Sequence, residues 1–227
     1  MKIGFVGVGI VFFAFVGKAD AKFARGESVP VERLVKNLTS YVQENPQDPH
    51  GYYVLGRVHS LAFVNKSGKL NVLPTKSVDK ALPILADSQK RVKRKYRLRT
   101  EALRQHLSSA IQNYRVAIEK EPKAALYRIG MAFVLDKGAQ FSRNMGLPPL
   151  LPTPANLVQP RELTRYWQTK ASDFYLQAYD LALGTELASK TQPIGGLRKM
   201  ISYEAGRGYV RLIRKLRLEK EKVEILG

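Results

Sequence analysis

The sequence contains no cysteine, which excludes disulfide bonds and thiolate chemistry. Histidine occurs only at His50, His59 and His106. Zinc sites need three or four ligands in set spacing, and no such cluster is visible. Acidic residues are scarce, 19 against 38 Lys and Arg, and no spaced carboxylate pair of the kind glycoside hydrolysis uses is present. The chain also lacks a Gly-x-Ser-x-Gly elbow, a phosphate-cradling Gly-x-x-x-x-Gly-Lys loop and a dinucleotide fingerprint. Gly195 and Gly196, and Gly206 with Gly208, fall within or beside helical patterns and read as turn and packing glycines. The expectation is a protein without cofactor or metal that is not an enzyme.

Long apolar runs are lacking too, with one exception. After Lys2 come fifteen uncharged residues, Ile3 to Gly17, then the small-x-small site Ala19, Asp20, Ala21. A positive start, an apolar run and such a site make a signal peptide over 1–21 and imply export, to a periplasm or the outside. Fifteen residues fall short of the roughly 20 that span a bilayer, so an uncleaved anchor is the alternative reading. The net charge of +19 attracts polyanions such as acidic envelope polymers or anionic lipid, with nucleic acid disfavoured by export. Sequons at Asn37 and Asn65 are discounted as common by chance.

A polar lead-in, 22–29, precedes Pro30, which suits a first helical turn. Val31, Leu34, Leu38, Tyr41 and Val42 follow at helical spacing and Pro46 ends the run. Asp48 and Pro49 then cap and start a second helix, with Tyr52, Leu55, Gly56 and His59 on one face. These segments, 31–44 and 50–63, are expected as an antiparallel hairpin, with Gly56 marking close approach of another backbone. Residues 64–87 read as an insertion and 88–121 as one long helix. A further helix starts near Ala124 and is expected to stop at Gly138. Residues 139–160 are loop-like, with five prolines. Periodicity resumes from Arg161 to about Ser189, and a last helix covers roughly 197–216 before a charged tail, 217–227. No convincing strand series is visible, so the fold is expected to be all-α.

Three helix endings share one arrangement. Leu34, Leu38, Tyr41 and Pro46 are separated by steps of four, three and five, as are Ala110, Tyr114, Ala117 and Pro122. Tyr175, Tyr179 and Ala182 repeat the first two steps. The helices that follow agree: Leu55 and Gly56 lie ten residues after Pro46, as Met131 and Ala132 do after Pro122, with Ala205 and Gly206 filling this role in the last helix. Tyr52, Leu55, Gly56 and His59 resemble the first-helix pattern of the tetratricopeptide repeat (TPR) family, and Ala110 to Pro122 resembles its second-helix pattern almost completely. The resemblance implies a TPR-like helical-hairpin solenoid of about three units over 30–216, with insertions at about 64–100 and 139–165. The breaks between each first helix and its second suggest that second-helix/first-helix pairs across the prolines hold the stack.

In that family the first helices line a concave groove that binds a protein or peptide. Carried over by helical face, this implies Tyr53, Arg57, Phe133, Tyr203, Arg207 and Arg211 as lining residues, with Arg suited to a partner's carboxylates. The expected function is therefore a non-enzymatic interaction scaffold, its partner a protein or peptide, acidic ones included. A second candidate is the basic strip Lys90, Arg91, Lys93, Arg94, Lys95, Arg97 and Arg99, which reads either as a solvated helix face or as a polyanion-docking surface. The mature chain is expected to contain no transmembrane span.

Overall fold

The computed structural model describes residues 27–73, 84–85, 96–145, 157, 159–188 and 195–226. The expected signal peptide over 1–21, most of the first insertion and most of the second loop lie outside the described residues. Strand β1 (Glu27–Pro30) leads into α1 (Val31–Glu44) and α2 (Pro49–Asn65). Strands β2 (Lys69–Leu73) and β3 (Ile84–Leu85) precede α3 (Thr100–Lys120), α4 (Ala125–Met145), α5 (Pro160–Ala188) and α6 (Gly195–Leu226). Helix dominates the described residues, as the apolar spacing predicts.

Local chemistry explains the helix starts. Asp48 caps α2 by accepting hydrogen bonds from the backbone of His50 at 2.9 Å and Gly51 at 3.2 Å. The same carboxylate accepts from the Tyr41 hydroxyl at 2.8 Å, tying the end of α1 to the start of α2. The two proline turns are built alike. Asn45 N–H donates to Tyr41 O and Asp48 N–H to Asn45 O in the first; Glu121 N–H donates to Ala117 O and Ala124 N–H to Glu121 O in the second.

Several expectations are corrected. A three-stranded antiparallel sheet in the order β1-β2-β3 occupies part of the lead-in and of the first insertion. Strands of two to five residues carry too little alternation to be read from sequence. Residues 96–99 are not helical: Gly68 N–H donates to Tyr96 O, Leu98 N–H donates to Lys66 O, and Arg97 bridges to Ser67. These backbone pairings consume the groups a helix would need, so α3 begins only at Thr100. Helix α4 passes through Gly138 to Met145, because Ala139 and Phe141 extend its apolar face; the Phe141 ring lies 5.3 Å from that of Phe63. The expected tail is helical as far as Leu226.

Each helix packs mainly on its neighbours in sequence. Packing is most extensive between α2 and α3, α4 and α5, and α5 and α6, and lighter across the proline turns. Two of the three dominant pairs, α2–α3 and α4–α5, are those separated by the long insertions, opposite to the expectation, whereas α5–α6 follows it. The proline turns leave room for only part of each helix to touch its neighbour, whereas α2 and α3 meet along a continuous apolar seam of Leu55, Leu103, Leu107, Ala110 and Tyr114.

Tyrosines fit against glycines throughout. The Tyr114 ring of α3 lies between α2 and α4: an added Cβ would stand 3.1 Å from it at Gly56 and 2.5 Å at Gly130. Gly51 faces Tyr41 of α1, Gly208 faces Tyr175 of α5, and Gly206 faces Tyr179. The large knob on a small-residue face that the sequence predicts at Tyr114 is thus met by helices without side chains at the contact.

Candidate partner-binding groove

Helices α2, α4 and α6 present one side to a groove of about 1250 Å³. Tyr53 and Arg57 come from α2, Phe133 from α4, and Arg207 and Arg211 from α6, with Tyr114 and Tyr175 of the intervening helices at the floor. Arg214 and Lys215 add to the wall, giving five cations against the single acid Glu204. Anions entering the groove therefore meet a positive field, strengthened by the low-dielectric walls.

The floor is aromatic and rigid. Tyr53 lies 5.9 Å from Tyr114 and 5.2 Å from Tyr127, centroid to centroid. Burial raises the Tyr114 and Tyr127 hydroxyls above the usual phenol range, with the hydrogen bond to Glu121 adding to the effect at Tyr127. Burial pushes Tyr175 up to about 12, against the opposing charge of Arg211. All three stay neutral at any physiological pH, so Tyr114 and Tyr175, which line the groove, bring no charge to it.

Behind the wall, Asp136 of α4 is fully buried. Its Oδ2 accepts from Arg211 Nη2 at 2.9 Å and its Oδ1 from Gln140 Nε2 at 2.8 Å. Arg211 is half exposed, so one side of its guanidinium joins α6 to α4 while the rest faces the groove. It was expected to serve a partner's carboxylate; the chain already supplies one. Asp136 escapes sequence reading because its partner lies 75 residues away. The available signal was a lone acid four residues after Ala132 on an apolar face.

Of the six groove candidates, Tyr53, Arg57, Phe133, Arg207 and Arg211 lie on the wall. Tyr203 does not: it is 64% exposed on α6 and lines no part of the groove. Sequence reasoning assigned Tyr114 and Tyr175 to packing alone, yet both also reach the groove. Of the basic strip, Lys90, Arg91, Lys93, Arg94 and Lys95 lie outside the described residues, and Arg97 and Arg99 are exposed in the extended segment before α3. Among the packing candidates, Leu34, Leu38, Leu55, Gly56, Ala110, Tyr114, Ala117, Ala132, Tyr175 and Ala182 are buried. Tyr41, Tyr179 and Gly206 are half-buried, and Pro122 is exposed in its turn.

The histidines are placed unexpectedly. His59 of α2 and His106 of α3 face each other with their Nδ1 atoms 2.8 Å apart, so one ring donates and the other accepts. Burial, then repulsion from His106, lowers His59 to about 4, and burial lowers His106. Among the described residues no group of three or more His, Cys, Asp or Glu could hold a metal ion, and no helix is long and apolar enough to cross a membrane. Compared with protein-family models, curated proteins and solved structures, the chain matches none.

Proposed function

We propose that the chain is an exported, non-enzymatic TPR-like scaffold that holds an acidic peptide or protein segment in the groove of α2, α4 and α6. One observation carries the reading: five cations from α2 and α6 and the rings of Tyr53, Tyr114, Phe133 and Tyr175 converge on one concave surface. Aromatic rings and Arg are the side chains that most often anchor a partner, and a carboxylate takes two parallel hydrogen bonds from a guanidinium. The tyrosine–glycine contacts recurring at Tyr41, Tyr114 and Tyr175 support a repeated unit of TPR type. The five cations favour an acidic partner over a neutral one.

The test is capture of acidic peptides by the wild-type chain and by a Phe133→Ala, Arg207→Gln variant. The variant should lose about ten-fold in affinity, or roughly 1.4 kcal/mol, with an unchanged unfolding midpoint. Capture indifferent to the variant would overturn the groove reading. If capture instead collapses between low and high salt and is lost on neutralising Lys93, Arg94 and Lys95 together, direct polyanion adhesion is the better account. Export has its own check: the mature N-terminus should begin after Ala21.

A further inference from the structure

We infer that the groove has two unlike ends and takes its partner segment in one orientation, apolar side chains over the start of α6 and carboxylates toward Lys215. This rests on the proposed binding of an acidic segment in the groove and adds the order in which that segment's side chains come. Contacts fix the directions of the three wall helices. The ring pairs Tyr53–Tyr127 and Phe63–Phe141 follow the same order along α2 and α4, so these two are parallel. On α5, Tyr175 and Tyr179 meet Gly208 and Gly206 of α6, and Gln177, between them, accepts from Arg128 Nε of α4 at 3.2 Å. Farther along both helices, Arg211 of α6 reaches Asp136 of α4. Helix α6 therefore runs parallel to α4 and α2.

The starts of the three walls share one end of the groove. Leu126 of α4 and Ile201 of α6 line it, each half-buried, and Tyr53 marks the same level on α2. Among the described lining residues no cation precedes Arg57 on α2 or Arg207 on α6, whereas Glu204 does. Arg211, Arg214 and Lys215 line the other end, with no acid among them. Asp136 offsets Arg211 from behind, which leaves Arg214 and Lys215 as the positive pole. Leu61 and Val210 reach this half as well, but neither alters its sign.

Distance keeps the ends electrostatically separate. Glu204 and Lys215 stand about 16 Å apart along the helix axis, twice the roughly 8 Å over which physiological salt screens charge. Arg207 lies within one turn of Glu204, so their charges partly cancel. A partner carboxylate is thus repelled at one end and attracted at the other. In the reversed orientation, apolar side chains would take water from Arg214 and Lys215 without replacing its hydrogen bonds. Charge complementarity selects a peptide segment that is apolar at one end and acidic at the other.

The test uses the full chain and two acetylated, amidated peptides of about seven residues, which when extended match the roughly 21 Å from Ile201 to Lys215. Both contain three leucines, three glutamates and one glycine; one peptide segregates leucine and glutamate to opposite ends, and the other alternates them. Their charge is equal, so a merely acidic-selective groove captures both alike. The segregated peptide should bind about ten-fold more tightly, and an Arg214→Gln, Lys215→Gln variant should remove the preference. Equal binding, or tighter binding of the alternating peptide, would overturn the orientation while leaving acidic binding in the groove intact. Binding of neither would overturn both. The chain has no cysteine, so Tyr203→Cys and Arg217→Cys each supply one labelling site, and neither residue lines the groove. A fluorophore on the glutamate end of the segregated peptide should transfer energy better to a label at 217 than to one at 203. Equal transfer, or the opposite ranking, would also overturn the orientation. That measurement alters no groove residue, so it decides the matter even where the Arg214, Lys215 variant shifts the unfolding midpoint.

Discussion

Gly130 and Gly184 both sit inside helices, and their surroundings give them opposite values. A Cβ at Gly130 would stand 2.5 Å from Cε1 and 2.8 Å from Cζ of Tyr114, a buried ring held from the other side by Gly56, whereas one at Gly184 would meet nothing within 4 Å. Gly130→Ala should therefore destabilise the fold by roughly 1–3 kcal/mol, as overpacking does, even after the better helix propensity of alanine. Gly184→Ala should stabilise it by about 0.5–1 kcal/mol. Paired urea titrations check the two signs. At this scale the sequence was partly legible. Tyr114 stood out as a large residue between Ala110 and Ala117, and Gly56 as a point of close approach of another backbone. Gly130 did not, because repeat spacing points to Ala132 as the equivalent of Gly56, and the socket is set two residues earlier.

Between elements, the α2–α3 contact carries a built-in acid sensitivity. His59 protonates near 6.5 in the unfolded chain but only at about 4 when folded. Between these values the unfolded state binds more protons, so stability is complete above about 6.5 and falls as pH drops towards 4. The loss should reach roughly 3 kcal/mol at pH 4, with His106 acting in the same direction. Burial gives the direction, with repulsion from His106 second, and once both rings are protonated the facing Nδ1 atoms set two N–H groups against each other. Unfolding midpoints measured from pH 7 to 4 should fall steeply, and His59→Gln should flatten the slope whatever it does to the midpoint at neutral pH. Helix positions were legible here, since α1 and α2 match the expected segments to within two residues. The histidine pairing was not, because the 47 residues between the partners include the first insertion.

Across the whole molecule, the dominance of helix followed from apolar spacing, because helical faces repeat every few residues and survive insertions. What periodicity could not convey was which neighbour each helix prefers, or that β1 pairs with β2 and so fastens the start of α1 to the chain leaving α2. Val31 N–H donating to Gly68 O completes that attachment. Long-range backbone pairing leaves no local pattern to read.

One further consequence follows from the Tyr114 ring lodged between Gly56 and Gly130. With no side chain on either glycine, the ring itself fills the space between α2 and α4, beside the Tyr53–Tyr127 and Phe63–Phe141 ring contacts that also join these helices, and both helices are walls of the groove. The tyrosine is a spacer gauge, and the aperture of the groove is calibrated from inside the core. Tyr114→Leu should let the walls draw together, shortening the distance between probes placed on Arg57 and Phe133 and shifting selection toward slimmer ligands. An unchanged distance would show that the aperture is set elsewhere.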